Sequence, residues 1–263
     1  MDKTNYKTIK LAKGEIYLYD FGKIKLHAYR TDDPISDEVF IVEKDKKAVI
    51  IESPCFFDNE RALSEYLEDL DVEGMLVAYH AAGGKFMQSV KKYGTSSAKE
   101  YGERGGGKAL IDNFTKAFGF TFDRAVHNIT EILPAGKTTI AGIDFVITPN
   151  SDAYDIELPE INVVYTHMVG NDCHSIVANA AHADAIISQL ESYIEKGVNL
   201  ILSSHYTPED VNDAETKIEY LKNVKAIAAN VKTAEDFKAE MLKKYPNYGG
   251  VNYLDMTAAM FFD

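Results

Sequence analysis

MLVAYHAAGGKF, residues 75–86, reads as an apolar strand that ends at a histidine, His80, and runs into small residues and a glycine pair. That is the outline of a metal-binding loop. A catalytic zinc or iron centre takes three or more His, Cys, Asp or Glu side chains at fixed distances, with one position left open for water. This stretch supplies one histidine, so any other ligands must come from other segments.

On its N-terminal side the chain reads as strands. EIYLYDF and KIKLHAYRT are separated by one glycine, DEVFIVE and KAVIIES by a charged KDK turn. A helix follows, with Asp58 and Asn59 at its start, Glu60 in its first turn, and Leu63, Tyr66 and Leu67 on one face. Beyond His80 the pattern predicts a short helix over 85–90, a brief strand KKYGTS, and a helical stretch over 96–119 broken at RGGG, with the character of a lid or flap. Strands return as AVHNITEIL, KTTIAGIDFVITP, AYDIEL and NVVYTHMV. They are followed by a helix over 183–196, the strand NLILSS, and helices over 208–231 and 234–245. Each half runs strands, helix, strand, which suits two sheets packed face to face with helices outside both.

The 263 residues, 46% hydrophobic and 26% charged, suffice for a large buried core. A count of 28 Lys+Arg against 41 Asp+Glu leaves a net charge of −13, whose field repels phosphate backbones and anionic lipid. Neither nucleic acid nor a membrane is therefore expected as a partner. The N-terminal segment has lysines but no apolar signal core, and no apolar run nears the length of a membrane span, so a cytoplasmic location is expected. Cys55 and Cys173 lie far apart and read as small core residues or pocket thiols rather than a disulfide.

The order of elements, together with VFIVEKDKKAVIIESP, GMLVAYHAAGG, IAGIDFVITPNSDAYDIELPEINVVYTHMVGND and NLILSSHYTPEDVNDAETKIEYLKNV, resembles the metallo-β-lactamase fold superfamily over nearly the whole chain. The resemblance implies a four-layer αββα sandwich of the α/β class, two mixed sheets face to face with helices on both outer faces. It implies a single domain over 1–263, with a helical flap around 95–120 and a C-terminal helical extension around 232–263. It also implies where two metal ions should be held, and there the chain departs from the pattern. Whether Tyr79 or His80 is set on the first histidine of the H-x-H-x-D-H loop, at least three of its four ligands are missing. The histidine of the T-P-G-H turn falls on Ser151, and Glu52-Ser53-Pro54 stands where Asp-x-Gly is usual. The bridging aspartate falls at or next to Met168, preceded by His167. Only His205 stands where a family ligand stands.

Two functional readings follow. In the first, the chain has lost the usual dinuclear centre and acts through its interfaces or a pocket built from Tyr79, His80, Ser151, His167, His205 and Tyr206. It then needs no cofactor, and two copies pair as a homodimer. In the second it is a hydrolase with one zinc, iron or manganese ion on His80, His167 and His205, all at strand ends that converge on one mouth in this fold. Asp172 or His174 would serve as general base, and Cys173 beside His174 is a candidate thiolate. Neither reading names the small-molecule ligand. GERGGGK, residues 102–108, fits the G-x-x-x-x-G-K frame but lacks the following Ser or Thr and the preceding strand, so it reads as a flexible joint. His27, His127 and His182 show no partner pattern.

Overall fold

The computed structural model describes residues 2–167 and 170–262. Eight strands form the first sheet in chain order: β1 (Lys7–Lys10), β2 (Glu15–Asp20), β3 (Ile24–Arg30), β4 (Glu38–Lys44), β5 (Lys47–Ile51), β6 (Asp71–Leu76), β7 (Lys92–Gly94) and β8 (Glu131–Ile132). Between them lie α1 (Phe57–Tyr66), α2 (Ser96–Arg104) and α3 (Gly106–Phe118). The first five strands pair antiparallel and the last three add in parallel, with α1 as the crossover from β5 to β6. The second sheet has six strands. β9 (Gly136–Ile140), β10 (Ile143–Pro149), β11 (Tyr154–Leu158), β12 (Val163–Thr166), β13 (Leu200–Ser203) and β14 (Tyr206–Glu209) lie side by side in that order. The remaining helices are α4 (Ala180–Lys196), α5 (Val211–Asn230), α6 (Ala234–Lys244) and α7 (Val251–Phe262).

Local chemistry explains most of these elements. The β4–β5 turn sets Asp45 and Lys46 at φ +53° and +65°, a primed two-residue turn whose twist matches the strands it joins. Residues 39–42 and 48–51 are buried without alternation, as befits strands covered on both faces. Leu63 of α1 packs with Tyr29, Ile41, Ile50 and Met75 of the first sheet, while Asp58 in its first turn suits the positive end of the helix dipole. Asp210 and Asp213 form a reciprocal capping box at the start of α5.

The chain divides into two compact units, Met1–His167 with Leu202–Pro208, and Met168–Ile201 with Glu209–Asp263. In the first, both sheets meet face to face. The Phe40 and Tyr165 rings touch edge to face at 5.9 Å, and a Cβ on Gly74 would lie 2.9 Å from Tyr93 and 3.1 Å from Ile140. In the second, α4 packs on α5 and Phe237 of α6 stacks on Phe261 of α7. The buried Lys217 ammonium donates to the carbonyls of Gly170 and Cys173. Two mixed sheets with helices make this the α/β sandwich class that the sequence predicts.

Three local expectations change. The helix expected over 85–90 is a series of turns, because Phe86 and Val90 bond three residues back, Met87 sits at φ +43°, and the Lys92 ammonium takes the Phe86 carbonyl that a helix would use. KTTIAGIDFVITP is a hairpin, not one strand, turning at Ala141 and Gly142, both at positive φ. Only Glu131–Ile132 of AVHNITEIL joins a ladder. No helix among the described residues is long and apolar enough to cross a membrane.

Candidate metal centre

The strand of MLVAYHAAGGKF ends at Leu76, and what shapes the loop beyond it is Glu52, the residue after β5. Its carboxylate is fully buried and takes three successive backbone N–H groups, from Ala78 (3.3 Å), Tyr79 (2.7 Å) and His80 (3.0 Å). The Tyr165 hydroxyl donates to it as well at 2.5 Å and lies 2.8 Å from the Ser204 hydroxyl. Glu52 itself sits at φ +65°, a conformation that costs a non-glycine residue about 1 kcal/mol or more and persists only where surroundings dictate it. One side chain thus orders the His80 loop and, through Tyr165 and Ser204, reaches the residue preceding His205.

With its loop held this way, the His80 ring lies 3.2 Å by Nδ1 from the Ser53 carbonyl. A proton on Nδ1 would donate there and leave the Nε2 lone pair facing the other way, the tautomer a metal ligand needs. Nε2 is buried and makes no hydrogen bond, and neither does Nδ1 of His205. Both face Oδ1 of Asp37, at 3.8 and 3.4 Å. Asp37 is 3% exposed and immediately precedes β4. Its carbonyl takes both the N–H and hydroxyl of Thr31, and the next residue's N–H donates to the Ser204 carbonyl at 2.6 Å, which ties Asp37 to the His205 turn. The donor atoms of Asp37, His80 and His205 all lie within 4.8 Å of one another.

The three residues fit one ion. Ligands about 2.0–2.2 Å from a tetrahedral metal stand roughly 3.3–3.6 Å apart, close to the two measured separations. Two buried imidazole nitrogens without partners are costly unless a cation or proton lies between them and the carboxylate. The charges are balanced for this. Burial works to lower the His80 imidazole, but the Asp37 and Glu52 carboxylates outweigh it and raise it above its usual range. Burial works to raise Asp37, but His80 and His205 outweigh it and hold it low. A proton and a metal therefore compete for the same lone pair.

His167 stands beside this group without joining it. Its Nδ1 lies 3.0 Å from the Ser204 hydroxyl, its ring stacks on Tyr79 at 4.4 Å, and its edge-to-face distance to His205 is 5.5 Å. Burial, then the neighbouring His205 and His80, push it down to about 3, so it is neutral. The Tyr79 hydroxyl accepts from the Asn150 amide (2.6 Å) and donates to Asp155 (3.3 Å). A pocket of about 110 Å³ opens over the centre. The polar wall includes Asp37, Tyr79, His80, His167 and His205, and the apolar wall comes from Leu110, Ile111 and Phe114 of α3 with Ile35 and Phe122. The segment expected as a flap is thus one side of the pocket. Cys55 also lines it as a protonated thiol, raised by burial and by Asp37, which accepts from its Sγ at 3.3 Å.

The other residues singled out in the sequence are placed as follows. Ser151 is exposed in the turn after β10 and bonds Asp152, and Tyr206 begins β14; neither lines the pocket. Met168 lies outside the described residues. Asp172, Cys173 and His174 belong to the second unit, where His174 Nδ1 lies 3.1 Å from the Tyr220 hydroxyl and the Cys173 thiol donates to the His174 carbonyl. His127, given no role from sequence, lies 2.7 Å from the Ser53 hydroxyl and is pushed down to about 3, chiefly by burial. Asp37 went unnoticed because its segment of the resemblance carries no ligand. The one available signal was an Asp-Glu pair directly before the apolar run VFIV, where acids are rarely buried without a partner.

No family model matches the chain, and no curated protein matches it in sequence. Solved structures do. The inverting sec-alkylsulfatase Pisa1 from Pseudomonas sp. aligns at a TM-score of 0.66 and 16% identity over 95% of this chain and 50% of its own. A metallo-β-lactamase from Erythrobacter litoralis aligns at 0.55 and 12% identity over 82% of this chain and 100% of its own. The DIM-1 metallo-β-lactamase aligns at 0.52 and 14% identity over 82% and 99%. The chain spans about half the length of the alkylsulfatase chains it matches. At such identities a likeness establishes the fold, and the fold of this chain is that of the metallo-β-lactamases.

Proposed function

We propose that the chain is a hydrolase with a single divalent transition-metal ion, held by Asp37, His80 and His205 and acting on a small, partly apolar substrate. The observation that carries this reading is the pair of buried imidazole nitrogens that make no hydrogen bond and face one buried carboxylate at the mouth of a pocket. Two histidines and a carboxylate suit zinc, iron or manganese and leave coordination positions open. When bound, the ion would acidify a water and polarise a carbonyl, phosphoryl or sulfuryl oxygen.

The chain's own residues do the rest. Glu52 orients His80 through the backbone of its loop. Tyr79, held protonated by burial, presents a phenol beside the site. Neutral His167, too weak a base to take a proton efficiently at neutral pH, braces Tyr79 and the His205 turn. The apolar face of α3 receives the hydrocarbon part of the substrate. The solved neighbours include an alkylsulfatase and β-lactamases, so sulfate, ester and amide substrates are the first to try.

The test is hydrolysis of p-nitrophenyl sulfate, acetate and phosphate with zinc, iron(II) or manganese(II) added to metal-free protein. Turnover that needs metal and is lost in Asp37→Asn and His205→Ala supports the proposal. Metal bound in the wild type without turnover on any ester would leave a binding protein rather than an enzyme, and the proposal would fall.

A further inference from the structure

Lys85, Lys108, Lys116 and Arg124 line one groove of about 740 Å³ in the first unit, apart from the metal centre. A chain with 41 acidic and 28 basic residues gives no reason for four cations to share a groove containing one acid. That acid, Asp112, is already paired with Lys108, one turn away on α3. Lys85 lies over the Phe57 ring at 5.0 Å, and among the described residues neither it, Lys116 nor Arg124 forms an ion pair. Like charges gathered in one groove repel one another, and an anion seated among them would relieve that repulsion.

The backbone builds the groove rather than leaving it to loose side chains. Residues 108, 112 and 116 recur every four positions along one face of α3. Opposite them, the Gly83 N–H donates to the Asp123 carbonyl, the Gly84 N–H to the Ala125 carbonyl, and the Lys85 N–H to the Asp123 carboxylate, which sets Lys85 alongside Arg124. The two segments run so close that a Cβ on Gly84 would stand 2.4 Å from the Val126 carbonyl oxygen. Ile111 lines both this groove and the metal pocket, so α3 is their shared wall.

We propose that the groove binds a small molecule carrying two or more phosphate or sulfate groups. Three cations outside any ion pair, Lys85, Lys116 and Arg124, with the Lys108–Asp112 pair beside them, match several anionic oxygens, whereas the net charge of −13 opposes an extended polyanion such as nucleic acid. The proposal stands on the groove alone and does not depend on the metal centre.

Calorimetric titration with inorganic pyrophosphate at low ionic strength tests it, with inorganic sulfate and a single-stranded oligonucleotide as parallel arms. The expected result is saturable one-to-one binding of pyrophosphate, weakened about tenfold by Lys116→Glu or Arg124→Glu and abolished by both together. Added salt should weaken it. His205→Ala should leave it unchanged, which separates the groove from pyrophosphate chelation at the metal. Both reversed residues are exposed, and an unchanged thermal melt confirms that the variants fold. Failure to saturate in the millimolar range, binding that survives the double reversal, loss in His205→Ala, or preference for the oligonucleotide would each overturn the proposal. Inorganic sulfate, which carries a single such group, should bind far more weakly than pyrophosphate, and sulfate binding at comparable strength would overturn the requirement for two groups.

Discussion

Replacing Glu52 by Gln tests how the His80 loop is held. Oε2 accepts from the Ala78 and His80 N–H groups, and Oε1 from the Tyr79 N–H and the Tyr165 hydroxyl. A glutamine keeps one acceptor and puts an amino group where the other was. Its least costly orientation keeps the oxygen toward Ala78 and His80, while Tyr165 turns its proton toward Ser204, 2.8 Å away. The Tyr79 N–H then faces a donor and is left unpaired. An orphaned N–H costs about 1–3 kcal/mol, and turning two charge-assisted bonds into neutral ones adds about 1 kcal/mol, for a total near 3 kcal/mol. Urea denaturation at an unchanged m-value measures this directly. Metal affinity should fall in the same variant, because His80 is no longer aimed by three fixed N–H bonds. A stability loss under about 1 kcal/mol, with metal affinity intact, would refute the role given to Glu52.

Glu60 keeps its proton in the fold, pushed up to about 8 by burial and then by Asp123, with Lys85 and Lys92 opposing. Its folded value lies above its unfolded one, so stability should fall as pH rises from about 4.5 to 8, by an amount that solvent screening holds below the roughly 5 kcal/mol of the full shift, and Glu60→Gln should flatten that slope in pH-resolved melts. Gly84→Ala drives a methyl against the backbone of Val126 and should cost about 3 kcal/mol, whereas Gly22→Ala, with open space but φ +82°, should cost only about 1 kcal/mol; equal losses in chemical denaturation would contradict this. Cys55 is buried and protonated, so a thiol reagent should leave it unmodified in the native protein and label it only on unfolding, as read by mass spectrometry.

Much of the fold was legible because it is written in period and turn chemistry. The apolar runs before Glu52, His80 and His205 announced buried strands, and Asp45-Lys46 and Ala141-Gly142 mark reversals, though the second was read through as strand. The 85–90 segment was not legible, since its helical pattern is overridden by a carbonyl captured from outside by Lys92. The site was legible in part. His80 and His205 belong to strand ends that any reading of the fold brings together. Asp37 does not, because its place depends on a cross-chain bond from Glu38 to Ser204 that no local pattern encodes. His167 looked equivalent to the other two histidines in sequence, yet Ser204 engages its Nδ1 and Tyr79 its face, so its donor atoms lie outside the cluster.

Metal stoichiometry separates these possibilities most directly. Protein purified without chelator, dialysed against zinc, iron(II) or manganese(II) and measured by elemental analysis should hold about one equivalent per chain. The equivalent should be retained in His167→Ala and lost in Asp37→Ala and His205→Ala. Two equivalents, none, or a single one that survives Asp37→Ala or needs His167 would contradict a centre built on Asp37, His80 and His205.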